Sequence, residues 1–217
     1  MLSFIHYPQL FCIAFGLVLF FSFIMSMQAL QFYTKDVVIK KFSIMDLEIP
    51  GTPEELVNLI KGLYLLPDPQ SKKTIRNLKG QLYIDFLFMP SAYGAIFLLC
   101  MLVSGKMLFP FGIKLFIVFG WLQLVPWICD IIENIYLLRK IKPEPVLSTP
   151  KVHKAYLIME IVKWGISLAG CICAMASICY FWLTGNYSFH SLYYLMVITC
   201  EIALFLLLGK FFLKKII

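Results

Sequence analysis

The chain has 217 residues, 61% of them hydrophobic and only 14% charged, with a mean hydropathy of +0.85. That composition places it in the membrane class, and the length leaves room for one membrane domain, residues 1–217, without a separate soluble one. The formal net charge of +7 would point to nucleic acid in a soluble protein. Here the cations flank apolar spans and no recognition module is present, which argues against nucleic acid and for attraction to anionic lipid.

Five apolar stretches, 9–30, 84–107, 111–138, 155–184 and 190–213, are each long enough to cross a bilayer as a helix, which takes roughly 20 residues. The expected fold class is therefore all-α, a membrane-embedded bundle of five transmembrane helices with a partly helical loop at 31–83. The first stretch has no basic flank before it, and its apolar run exceeds that of a secretory signal. With Ser26-Met27-Gln28-Ala29 a poor cleavage site, it reads as an uncleaved span.

Loop one (31–83) carries Lys35, Lys40, Lys41, Lys61, Lys72, Lys73, Arg76 and Lys79. Within it, residues 45–49 (MDLEI) alternate apolar with acidic and predict a short extended stretch. Gly51-Thr52-Pro53-Glu54-Glu55 predicts a helix start, with Thr52 as cap, Pro53 at the first helical position and Glu55 completing a capping box. Leu56, Leu59, Ile60 and Leu63 follow at helical spacing until Pro67-Asp68-Pro69 ends the helix. Ser71 is the expected cap of a second helix that leads into span two. The Pro53 helix is expected either to lie in the interface or to cover the mouth of the bundle.

Short connections after spans two and four, around Pro110-Phe111-Gly112 and Gly185-Asn186, make spans two and three, and four and five, antiparallel hairpins. Tyr33, Tyr83, Tyr136 and Tyr156 are expected at one membrane interface. Tyr7, Trp182, Tyr187, Tyr193 and Tyr194 are expected at the other. Loop three adds Arg139, Lys140, Lys142, Lys151 and Lys154, and the last span ends in Lys210, Lys214 and Lys215. Lys106 and Lys114 alone fall on the opposite side, so the positive-inside bias predicts an outside N-terminus, a cytoplasmic C-terminus and a bacterial inner-membrane location. Gly165/Ala169 and Gly170/Ala174 in span four are small-residue pairs suited to close helix approach. The seven cysteines all lie in spans with no C-x-x-C spacing, which indicates neither a redox pair nor a zinc site.

Ionisable groups in hydrocarbon are costly, so they mark candidate sites. Asp85 lies in span two, Asp130, Glu133 and Asn134 in span three, Glu160 and Lys163 in span four, and Glu201 in span five. At about 1.5 Å per residue from the nearest basic flank, Asp85, Glu133 and Glu160 lie roughly 9 Å deep, and Asp130, Lys163 and Glu201 roughly 14 Å. Spacing keeps these groups on one face of span three and one face of span four. Pro90 and Pro126 interrupt their helices near the same layer. The pattern predicts a polar pocket open to the cytoplasmic leaflet. A structural alternative is that Lys163 pairs with Asp130, Glu133 or Glu201 while the other groups fix helix register. Five carboxylates facing one lysine favour a site, because that excess charge cannot persist unpaired in low dielectric.

No Glu-x-x-His, H-E-x-x-H, G-x-S-x-G or Gly-rich phosphate loop occurs, so no cofactor or reaction is indicated; a hard cation held by carboxylates and freed carbonyls, a proton relay and an amine-binding pocket all fit the pattern. Three segments, LEIPGTPEEL (47–56), DFLFMPSAYG (85–94) and DIIEN (130–134), together resemble a family of small bacterial polytopic integral membrane proteins of uncharacterised activity. The resemblance covers about residues 45–140. It implies that Asp85, Tyr93, Asp130, Glu133 and Asn134 act as one unit with loop one. The functional expectation is a pocket for a small cationic, polar or lipid-headgroup ligand, formed by those residues with Glu160, Lys163 and Glu201. Two alternatives stay open: a membrane enzyme using Asp130 and Glu133 as acid/base groups on a lipid-like substrate, and a structural subunit with a membrane-protein partner.

Overall fold

The computed structural model describes residues 8–216, with side chains from 8 to 212. His6, Tyr7 and the side chains of Lys214 and Lys215 lie outside the described residues. The fold is an all-α membrane bundle. Helix α1 spans Pro8–Ala29, α4 Asp68–Ser104, α5 Pro110–Leu122, α6 Leu124–Lys140, α7 Pro150–Leu183 and α8 Phe189–Ile216. Among the described residues, five helical stretches are long and apolar enough to cross a membrane, with α5 and α6 counting as one. Between α1 and α4 the chain forms a small hairpin of β1 (Tyr33–Lys35) and β2 (Ile39–Lys41), then α2 (Met45–Glu48) and α3 (Pro53–Tyr64). The hairpin is antiparallel, with Thr34 opposite Lys40.

The start of α3 follows the predicted capping box. Thr52 Oγ1 accepts from the Glu55 N–H at 3.2 Å, and the Glu55 carboxylate accepts from the Gly51 N–H at 2.8 Å. Two other expectations are corrected. Residues 45–48 form one helical turn rather than a strand, because Asp46 Oδ2 reaches back to accept from both the Ser43 N–H (2.7 Å) and the Ser43 hydroxyl (3.2 Å). That local closure outweighs a five-residue alternation. The next helix starts at Asp68 instead of at a Ser71 cap. The Ser71 hydroxyl, already inside α4, donates to the Leu63 carbonyl at 2.7 Å and ties α4 to the end of α3.

The two prolines also behave differently. Helix α4 runs unbroken through Pro90, whereas the third span divides at Gln123, three residues before Pro126. Pro126 offers no N–H to the Leu122 carbonyl, and the chain tightens there, with the Gln123 N–H bonding to Gly120 at 3.0 Å.

Contacts divide the chain into two compact units. One comprises Ile24–Leu87 and Ile128–Lys163, and the other Met1–Phe23, Phe88–Trp127 and Trp164–Ile217. In the first, loop one is part of the core. Phe32, Leu47, Ile60, Leu63 and Leu78 are fully buried, together with Leu137 and Ile141 of α6 and its end. The apolar face of α3 is thus covered by protein. Strand β1 abuts α3 closely: the Thr34 hydroxyl donates to the Leu59 carbonyl at 3.0 Å, and a Cβ at Gly62 would lie 2.1 Å from Thr34 Oγ1. Only glycine fits at that contact.

In the second unit, Leu99, Cys100, Val103, Phe116, Ala174 and Phe181 form the buried core. Of the two small-residue pairs in α7, Gly170 and Ala174 are buried, whereas Gly165 and Ala169 face outward. Tyr156, expected at the interface, is buried instead, its hydroxyl directed at the Leu47 carbonyl (3.4 Å) and its ring 5.0 Å from that of Tyr136.

Candidate functional site

On α6 the residues Glu133, Asn134, Leu137 and Ile141 recur at helical spacing and are all buried, while Ile132, Ile135 and Arg139 face outward. On α7 the buried positions Tyr156, Glu160 and Lys163 repeat the same rhythm. These two faces bring the charges together within one unit. Lys163 Nζ lies 2.9 Å from Asp130 Oδ1 and 2.6 Å from Glu160 Oε2, and it donates a hydrogen bond to Glu133. Glu133, Glu160 and Lys163 are each no more than 3% exposed, so these pairs act in low dielectric, where geometry decides whether they hold.

The Glu160 contact has ion-pair distance without hydrogen-bond alignment, and both Glu160 oxygens are buried without a hydrogen-bond partner. Asp85 joins through Asn134, whose amide donates to Asp85 Oδ2 at 2.7 Å and to the Leu82 carbonyl at 3.3 Å. One amide therefore links α6 to α4 twice.

A further carboxylate comes from outside the spans. Glu48, the last residue of α2, places an oxygen so that Glu48, Glu133 and Glu160 lie within 4.8 Å of one another. The resemblance carried by residues 47–56 groups loop one with this site without singling out Glu48. The available signal was its place in LEIPGTPEEL, next to Leu47, which is itself fully buried. Burial pushes the Glu48 carboxyl up to about 7; Lys163 opposes that shift, and Glu160, Asp130 and Asp85 add to it.

Of the eight residues predicted from sequence, six meet in this cluster: Asp85, Asp130, Glu133, Asn134, Glu160 and Lys163. The other two belong to the second unit. Tyr93 lines an apolar cavity there, and Glu201 lies beside Gly16, where an added Cβ would be 2.9 Å from its carboxylate. Lys163 accordingly pairs with carboxylates of α6 and α7. Chemically, the cluster can hold a proton or a cation between carboxylates. Its buried lysine fixes the positions of three of them.

Two outcomes are expected. Lys163→Met leaves Asp130, Glu133 and Glu160 facing one another without their cation, and should destabilise the protein by about 3–5 kcal/mol. Adding Glu133→Gln should recover part of that loss, as read by denaturation in detergent; equal stability of the single and double variants would refute the pairing. The second outcome concerns pH. Glu48 is raised from 4.5 to about 7, so the folded state holds a proton that the unfolded state releases between those values. Its contribution to stability is full below pH 4.5, falls as pH rises toward about 7, and is flat above. Glu48→Gln should flatten that window in a pH series of melting temperatures, and an unchanged slope would show that Glu48 does not titrate there.

No protein-family model, curated protein or solved structure matches this chain.

Proposed function

We propose that this polytopic membrane protein binds a small cationic ligand, a free amine or the amine of a lipid headgroup, at the carboxylate cluster of its loop-one unit. The observation that carries the proposal is the imbalance of the cluster. Glu48, Asp85, Asp130, Glu133 and Glu160 gather around Lys163. Unpaired carboxylates are not retained in a buried layer; they take up protons or a cation. Glu48, Glu133 and Glu160 present oxygens within 4.8 Å of one another, a spacing that one cation spans. Lys163 Nζ reaches Asp130, Glu133 and Glu160, and the Glu160 oxygens make no hydrogen bond. In this arrangement Lys163 and Asn134 position the carboxylates, and Glu48 and Glu160 contact the ligand.

The site then lies in the cytoplasmic leaflet of a bacterial inner membrane. The N-terminus is outside, the C-terminus is inside, and loop one faces anionic lipid with its eight cations. An amine headgroup would reach Glu48 from that side.

Binding is tested with ethanolamine and choline against the purified protein, using sodium chloride at equal ionic strength as the control. At a hundredfold excess over Kd, stabilisation of about 2.7 kcal/mol is expected, reduced in Glu160→Gln and Glu48→Gln. Absence of any shift, or a shift that both variants retain, would exclude the cluster as an amine site. Orientation is tested separately in a cysteine-free background. Lys72→Cys, at a side chain 77% exposed, should be protected from an impermeant thiol reagent in intact cells, and Asn186→Cys should react. Labelling at position 72 from outside would invert the topology.

A further inference from the structure

In the second unit a cavity of about 360 Å³ opens among α1, α4, α5 and α6, walled by Pro90, Tyr93, Phe97, Trp121, Gln123 and Trp127. This volume falls within the range of small-molecule sites, roughly 300–1,000 Å³. Trp121 and Leu124 at its rim are 51% and 44% exposed, so in a membrane the mouth meets hydrocarbon. Gly94 leaves part of the wall bare, with nothing within 4 Å of where a Cβ would stand.

One wall residue carries a buried polar atom without a partner. Gln123 is 2% exposed, and its amide nitrogen donates to the Phe119 carbonyl at 3.1 Å and, at 3.5 Å, to the Ile166 carbonyl. Both partners are acceptors, so the NH₂ must face them and the amide cannot be turned around. The Gln123 amide is held in that position by close packing, since a Cβ at Gly170 would lie 2.6 Å from Nε2. Its oxygen is left buried with no hydrogen-bond partner. A buried acceptor left unmet is costly. A water would need two to four polar neighbours, and this cavity is lined almost wholly by carbon.

We infer that this cavity binds a membrane-dissolved molecule of the long-chain alcohol class. The apolar body packs against the two tryptophans and the space beside Gly94, and the hydroxyl donates to Gln123 Oε1. Aromatic walls supply large apolar contact, and the unpaired Gln123 oxygen selects for a donor. This site is independent of the carboxylate cluster.

The probe is a long-chain fatty alcohol carrying a diazirine, compared with its methyl ether, on the full chain in lipid nanodiscs. Peptides containing Gly94, Trp121 or Trp127 should be labelled, with competition by the plain alcohol. The alcohol should outlabel the ether by about five- to tenfold, the value of one hydrogen bond. Gly94→Leu fills the open space and should reduce labelling at least as much. Gln123→Leu should bring the alcohol down to the ether without loss of the ether signal. Equal labelling by alcohol and ether in the native protein would overturn the role of Gln123. Labelling spread evenly along the lipid-facing helices and unaffected by Gly94→Leu would show annular lipid and overturn the site. If Gly94→Leu fails to fold, the alcohol-to-ether ratio in the native protein and in Gln123→Leu still decides.

Discussion

A single ammonium group, that of Lys163, organises the loop-one unit. It touches Asp130 and Glu133 on α6 and Glu160 one turn away on α7. Burying four charges costs several kcal/mol per ion, so the cluster is not primarily a source of stability. It acts as a constraint. Sliding α6 against α7 by one turn would part Lys163 from Glu133 and leave the Glu133 carboxylate buried without its cation, a costly state. Apolar surfaces in a bilayer discriminate poorly between registers, because lipid is as apolar as leucine, and the ion pairs supply the missing specificity.

The same constraint explains why loop one is ordered. Leu47 and the inner face of α3 close the apolar core over α6, which places Glu48 at the cluster. Three side-chain-to-backbone bonds hold this segment: Thr34 to Leu59, Ser71 to Leu63, and Thr74 to the Gln31 carbonyl at 2.8 Å. An extramembrane segment fixed in this way supplies a carboxylate that no span provides. The unit's charged centre therefore depends on a part of the chain that hydropathy alone would set aside as a connection.

The second unit is built on different physics. Its core is aliphatic and aromatic, with edge-to-face contacts such as Phe97 on Trp121 at 5.3 Å. Gln123 satisfies its nitrogen on two carbonyls next to the helix division that Pro126 imposes, and keeps its oxygen unpaired. A proline that ends one helical segment has thereby placed a polar group in an otherwise carbon-lined wall.

Whatever is periodic or compositional can be read directly along the chain. The five spans follow from length and apolarity, the α3 start from Thr52, Pro53 and Glu55, and the inward faces of α6 and α7 from three- and four-residue spacing. Each of these signals is local, so it survives without knowledge of the partner. The meeting of Asp85, Asp130, Glu133, Asn134, Glu160 and Lys163 was legible because depth and face can both be counted along a helix. Long-range packing brings Glu48 to them, turns Tyr156 inward to Leu47, and assigns Tyr93 and Glu201 to a different unit. The structure also shows that residues 45–48 coil and that the chain divides near Pro126 but not at Pro90. Those outcomes rest on contacts across tens of residues, or on a choice between backbone states that five residues of alternation leave nearly balanced. Packing settles such choices, and the sequence pattern does not record it.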